Sequence, residues 1–111
     1  NEYGILNDEI YVKSYVADKH NISRWAKNKI RYSLKSKKIN EDLINIYLDQ
    51  ISDEEEYENA YNFAVKKARN DFSIENKQKV YRYLAGKGFD FDIINKVVGE
   101  LFKWLMDMFI Y

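Results

Sequence analysis

Apolar residues recur along the chain at spacings of three and four in six runs, each preceded by a residue able to cap a helix. The first run has Asn7 as its cap, Asp8 and Glu9 at the positive end of the dipole, and Tyr11 and Tyr15 one turn apart. The second is predicted to start after Ser23 and to bury Ala26, Ile30 and Leu34. The third starts after Asn40 and sets Leu43, Ile44, Tyr47, Leu48 and Ile51 on one stripe. Ser52-Asp53-Glu54-Glu55 fits a capping box for the fourth, which spaces Tyr57, Ala60, Tyr61, Ala64 and Ala68 by three and four. The fifth carries Val80, Tyr83 and Leu84 and stops at Gly86-Lys87-Gly88, where glycine can take a left-handed conformation. The sixth starts after Asp90 and runs through Ile94, Val97, Val98, Leu101 and Leu105. The pattern predicts an all-α fold.

The runs repeat. A shift of 50 lays Lys29, Leu34, Lys37, Asp42, Ile44 and Asn45 on identical residues at Lys79, Leu84, Lys87, Asp92, Ile94 and Asn95. Apolar positions follow at Ile30/Val80, Ile39/Phe89, Leu43/Ile93, Leu48/Val98 and Ile51/Leu101. The first and fourth runs align at a shift of 46, through Tyr11/Tyr57 and Tyr15/Tyr61, which predicts four extra residues in the loop near Asn70–Ser73. Two tandem three-helix repeats result, covering residues 7–51 and 52–111. Such units bury a shared face by stacking, so an elongated, curved molecule is expected rather than a six-helix globule. The first residue is Asn1 rather than Met, and residues 1–6 read as the end of a preceding repeat.

Composition narrows the chemistry. With 111 residues, no proline, four glycines and 32% charged residues, the chain suits one modest helical assembly and argues against a sandwich or barrel. The absence of cysteine excludes disulfides and thiolate catalysis and fits a reducing, cytoplasmic setting. No apolar run approaches the roughly 18 residues of a membrane span. The single histidine, His20, reads as a surface residue at a helix end. No metal-ligand spacing, phosphate-cradling glycine loop or nucleophile–base pair stands out, so no enzyme, metal or cofactor is expected. The run Asp53–Glu56 is explained by helix initiation.

Net charge is zero, but the charges are blocked. Residues 19–38 hold eight basic side chains and no acid, and residues 39–58 hold eight acids and no base. On a helical wheel Arg24, Lys27, Arg31, Lys35 and Lys38 fall within an arc of about 80°, beside the apolar arc of Ala26, Ile30 and Leu34. The pattern predicts a continuous basic stripe, either a solvated face partly neutralised by the following acids or a surface for an acidic protein or phosphates. Trp25 and Tyr32 lie next to it and could stack on bases, anchor a contact or pack on a neighbouring helix. Tyr83, in Tyr81-Arg82-Tyr83, shares the face of Val80 and Leu84 and is expected in the core.

Four segments, in order, resemble the RecX family of recombinase regulators. Residues Leu6 to Val16, LNDEIYVKSYV, are similar to that family's LDDExxAxxYV opening of a three-helix repeat. Ile30 to Ile39 resembles its IRxxLxxKGI pattern. Glu54 to Ala60, followed by Lys66-Lys67, resembles the start of the next repeat. Lys77 to Phe89, KQKVYRYLAGKGF, is close to RQKLYRYLxRKGF. Val12 stands where alanine is usual and Lys38 where a glycine normally ends the helix, and the stretch from Trp104 to Tyr111 is unusually apolar. Family members carry a further repeat before this region, of which only residues around Glu2–Leu6 are expected here.

The resemblance implies a non-enzymatic modulator of the RecA recombinase, and the chain is expected to be a monomer. It would bind the RecA–single-stranded DNA filament in its groove and inhibit ATP hydrolysis, strand exchange and co-protease functions. Candidate contacts are Arg24, Lys27, Arg31, Lys35 and Lys38, then Lys66, Lys67, Lys77 and Arg82. Two rival readings remain: a helical module acting on nucleic acid directly, and a protein-interaction scaffold using the apolar stripe of Leu101, Leu105, Met108 and Phe109.

Overall fold

A computed structural model describes the backbone of residues 2–71 and 73–110 and the side chains of residues 8–71 and 73–103. Among the described residues there are six helices and no strand: α1 (Glu2–Asn21), α2 (Lys27–Ser36), α3 (Glu41–Leu48), α4 (Asp53–Ala68), α5 (Ile74–Gly86) and α6 (Phe91–Ile110). None is long and apolar enough to cross a membrane. α1, α2 and α3 pack together, and α4, α5 and α6 do likewise. The molecule measures 63 × 20 × 20 Å, and its radius of gyration is 16.9 Å, against about 13 Å for a compact chain of this length. Two tandem repeats make a rod, as the repeat spacing predicts.

Each repeat has its own core. Val12, Val16, Ile30, Leu34, Ile44, Leu48 and Ile51 form the first. The second gathers Ala60, Ala64 and Ala68 of α4, Val80 and Leu84 of α5, Phe89, and the inner face of α6. Ala26 is the exception: it belongs to the first repeat by sequence but is buried in the second core.

Two predicted caps form as the sequence indicates. The Asn40 side chain accepts from the backbone N–H groups of Asp42 and Leu43. Ser52 Oγ accepts from Glu55 N at 3.1 Å while Glu55 Oε2 accepts from Ser52 N at 3.1 Å, a complete capping box. Two others do not. α1 already runs from Glu2, so Asn7 lies inside it. α2 begins at Lys27, with Ala26 before it and no side-chain cap. Ser23 instead closes α1, its N–H donating to Asp18 O at 3.3 Å. Arg24 then turns left-handed at φ 58°, which breaks helical continuity.

The helix offset also differs from the sequence alignment. Buried Val12 and Val16 occupy the places of buried Ala60 and Ala64. Tyr15 bonds Ser33 and lies under Lys37, just as Phe63 meets Tyr83 and lies under Lys87. α1 and α4 are therefore related by a shift of 48, not 46, and the tyrosine matches at 46 are off register. Two extra residues remain rather than four, and they are taken up in helix, since α5 has 13 residues against 10 in α2. Leu101 is buried in the second core, while the side chains of Leu105, Met108 and Phe109, and the residues of the expected preceding repeat at 1–6, lie outside the described side chains.

Candidate functional site

The basic stripe is not continuous. Its arc assumed one helix from residue 24 to 38, but Arg24 precedes α2 and Lys38 follows it, the latter left-handed at φ 63°. Of the three on α2, Lys27 is half-buried at the junction between repeats, where its backbone N–H donates to Glu56 Oε1 at 3.2 Å. Arg31 is half-buried and donates to Asn28 Oδ1 at 3.1 Å and to Asn45 Oδ1 at 3.5 Å. Lys35 Nζ lies 3.5 Å from Glu41 Oε1, an exposed ion pair. That contact is worth at most about 1 kcal/mol, but it lowers the potential there.

A different set of cations comes together on aromatic rings. In the first repeat Lys19 Nζ sits 4.8 Å from the centre of the Trp25 ring, Lys29 Nζ 4.3 Å from the same centre, and Lys37 Nζ 5.0 Å from that of Tyr15. In the second, Lys67 Nζ lies 5.1 Å from the Tyr83 ring, and Lys87 Nζ 4.4 Å from Phe63. Lys19 and Lys67 correspond at the shift of 48, and Lys37 and Lys87 at the shift of 50. Each repeat thus sets the same pair of lysines about one ring, Tyr15 in the first and Tyr83 in the second, although the two rings stand at different positions of the repeat. The two halves meet at a cleft lined by Trp25 and Lys29 from one repeat and Phe63 and Lys87 from the other.

Ring seats of this kind contribute about 0.5–1 kcal/mol each and hold an ammonium without neutralising it. Among the described residues the close cation–carboxylate contacts are Lys35–Glu41 and, when its ring is protonated, His20–Glu55. Neither involves these five lysines. The arrangement is a ridge of placed, unneutralised positive charge across both repeats, able to attract phosphates or carboxylates.

At the junction, polar groups join the repeats. Arg24 Nη1 donates to Asn59 Oδ1 at 3.2 Å, and the Asn59 amide, nearly fully buried, lies 3.5 Å from His20 Nδ1. His20 is thus not the surface residue expected; its side chain is 11% exposed, and burial lowers its pKa against the opposing pull of Glu55. Asn28 Nδ2 donates to Gly88 O at 3.1 Å and to Asp90 Oδ1 at 2.6 Å. Glu56 is 3% exposed, and burial pushes its carboxyl up to about 7 despite the N–H it accepts from Lys27. A notch of about 200 Å³ opens beside this junction, lined by Arg24, Asn62, Phe63 and Lys66.

The remaining candidates divide. Lys66 and Lys67 are exposed in the last turn of α4, next to the notch and on the ridge respectively. Lys77 and Arg82 are exposed on α5 and join neither feature. Trp25 packs against the first core, edge-on to Tyr15 at 6.4 Å, whereas Tyr32 is 78% exposed. Tyr83 packs against the second core but keeps one face under lysines. The acids Asp53, Glu54, Asp90 and Asp92 line a separate cleft of about 670 Å³ with Tyr57 and Phe91. Sequence reasoning missed Lys19, Lys29, Lys37 and Lys87 as site residues. The signal was present in the repeat itself, where Lys37/Lys87 and Lys29/Lys79 were identities.

Comparison with known proteins agrees with this architecture. The second three-helix domain of RecX matches residues 7–48, and the third matches residues 53–98. The chain belongs to the RecX family. Similar proteins named regulatory protein RecX include one from Clostridium botulinum strain Alaska E43, 40% identical over 104 residues, or 89% of this chain and 48% of that protein. One from Clostridium perfringens strain 13 is 34% identical over 90% of this chain and 49% of its own length. One from Legionella pneumophila strain Corby is 35% identical over 88% of this chain and 65% of its own length. This RecX-family chain spans about half the length of the clostridial relatives. No solved structure matches it.

Proposed function

We propose that this chain is a non-enzymatic regulator of homologous recombination and DNA repair, acting in the cytoplasm as a monomer. It binds the RecA–single-stranded DNA filament and inhibits the recombinase. The relatives' name supports a regulatory role, and the recombinase as target is what the family resemblance implies. What supports a filament contact in this chain is the ridge of Lys19, Lys29, Lys37, Lys67 and Lys87, held on ring faces and paired with no carboxylate among the described residues. A 63 Å rod carrying such a ridge suits a long, regularly charged target better than a small one. Arg24 and Lys66 adjoin the ridge, of which Lys67 is a member, and take part. Lys27, Arg31, Lys35, Lys38, Lys77 and Arg82 contribute through the wider positive field.

The test is a titration into recombinase-coated DNA and into bare oligonucleotide at matched salt, with ATP hydrolysis followed. Preference for the coated strand with suppressed hydrolysis is expected, and replacing Lys37 and Lys87 together by Gln weakens inhibition about tenfold at unchanged helicity. Equal binding to bare strands with unaffected hydrolysis favours the second reading, a module that acts on nucleic acid directly. The same lysine ridge is the observation behind that alternative.

A further inference from the structure

We propose that the notch at the junction, lined by Arg24, Asn62, Phe63 and Lys66, is a seat for one phosphodiester of a single nucleic-acid strand, and that an occupied seat fixes the two repeats relative to each other. This rests on the polyanion reading above and adds to it a defined site, a ligand group and a mechanical consequence.

Three observations carry it. Arg24 is delivered to the notch by an unusual backbone, left-handed at φ 58°, and its position is held from both sides. Trp25 N, next in sequence, donates to Lys19 O at 2.9 Å, and the guanidinium is aimed across the junction by buried Asn59. One N–H is used in that contact, so the remaining donors of the fork stay available. Lys66 reaches the same notch from the second repeat, and among the described residues neither cation has a carboxylate partner. Finally, the notch adjoins the ridge: Arg24 and Phe63 also line the cleft shared by Trp25, Lys29 and Lys87.

The chemistry favours phosphate over carboxylate. A planar carboxylate is best met by one arginine fork in its own plane. Here a fork, an ammonium and the Asn62 amide line a single notch, which suits a tetrahedral anion with oxygens in several directions. Lysines outnumber arginine on either side, and lysine serves phosphate as a point charge. The volume of about 200 Å³ admits a phosphate group with part of its sugar but not a whole nucleotide with its base. Because Arg24 and Lys66 belong to different repeats, an anion between them bridges the rod at its middle. The strand then continues along the lysines on each side.

Binding of a fluorescent oligothymidylate to the whole chain, over a range of salt, provides the test. Arg24→Gly keeps the left-handed backbone while removing the guanidinium, and Lys66→Gln removes the second charge. Each is expected to weaken binding about tenfold, as loss of a charge-assisted contact does. The slope of log K against log salt should fall by about 0.7, one phosphate on a single strand. The double variant should lose less than the product of the two, since both hold one group. Spin labels on cysteines introduced at exposed Ser36 and Glu75 should show a distance distribution that narrows when the strand is added to the parent chain but not to Arg24→Gly.

Unchanged affinity and slope in both variants, with weakening in Lys29→Gln and Lys37→Gln, would overturn the seat and leave the ridge standing. No weakening in any of the four removes both. Equal binding of polyglutamate with the same sensitivity to Arg24→Gly overturns the phosphate assignment in favour of an acidic protein segment. Absence of any binding to the bare strand also overturns the seat, while the coated-filament titration still judges the regulator.

Discussion

The carboxylate of Glu56, in α4, accepts the backbone N–H of Lys27, the first residue of α2, at 3.2 Å. One acid from the second repeat thus caps a helix of the first, doing the work that no side chain of Ala26 can do. The bond is made in a buried place, where a negative charge is poorly solvated.

That placement makes stability depend on pH. Glu56 ionises near 4.5 when exposed and at about 7 in the fold. A carboxyl with a raised folded pKa binds more protons folded than unfolded, so stability falls as pH rises between those values and levels off above them. A shift of this size corresponds to about 3 kcal/mol at pH 8. Glu56→Gln, which keeps an acceptor for Lys27 without the charge, should be more stable than the parent at pH 8 and equal to it at pH 4. Urea melts at the two pH values check this, and an equal difference at both would contradict it.

Lys38 and Gly88 sit at the same place in the two repeats, and both are left-handed, at φ 63° and 92°. Only glycine takes that conformation freely. Lys38→Gly should stabilise the chain by about 0.5–1 kcal/mol. Gly88→Ala should do the reverse and cost about 2 kcal/mol or more, because its new methyl would also lie 3.3 Å from Lys29 N across the junction. Thermal melts of the two variants should move in opposite directions.

The cores are separate, so damage should stay local. Leu34 is fully buried in the first core and Leu84 in the second. Either leucine replaced by alanine should lose about 2–5 kcal/mol. Amide exchange should quicken chiefly in α1–α3 for Leu34→Ala and chiefly in α4–α6 for Leu84→Ala. Uniform acceleration in both would mean a single cooperative unit.

The ridge predicts a salt signature. Lys19→Gln and Lys67→Gln remove corresponding charges from the two repeats without touching a core residue. Binding to the coated filament should weaken by a similar factor in each, with a shallower salt dependence and unchanged circular dichroism. A loss confined to one repeat would show that the repeats do not share the contact.

What could be read from the chain alone was set by neighbours in sequence. Helical periodicity placed Ile30, Leu34, Ile44, Leu48 and their partners in buried stripes, and the caps at Asn40 and Ser52 are local hydrogen bonds spanning two or three residues. The repeat spacing fixed two units and a rod, because the same apolar stripe recurs at a fixed interval and neighbouring units stack along one line. The charged surface was different. A helical wheel drawn through Arg24 assumed that the helix began there, but α2 starts at Lys27. Ala26 is drawn into the other repeat's core, and Arg24 is held left-handed with its guanidinium on Asn59, 35 residues away. Which lysines stand on ring faces follows from the same packing. Local pattern could therefore specify helices and cores, which depend on spacing along the chain. The surface depends on the exact start and rotation of each helix, and contacts distant in sequence decide those.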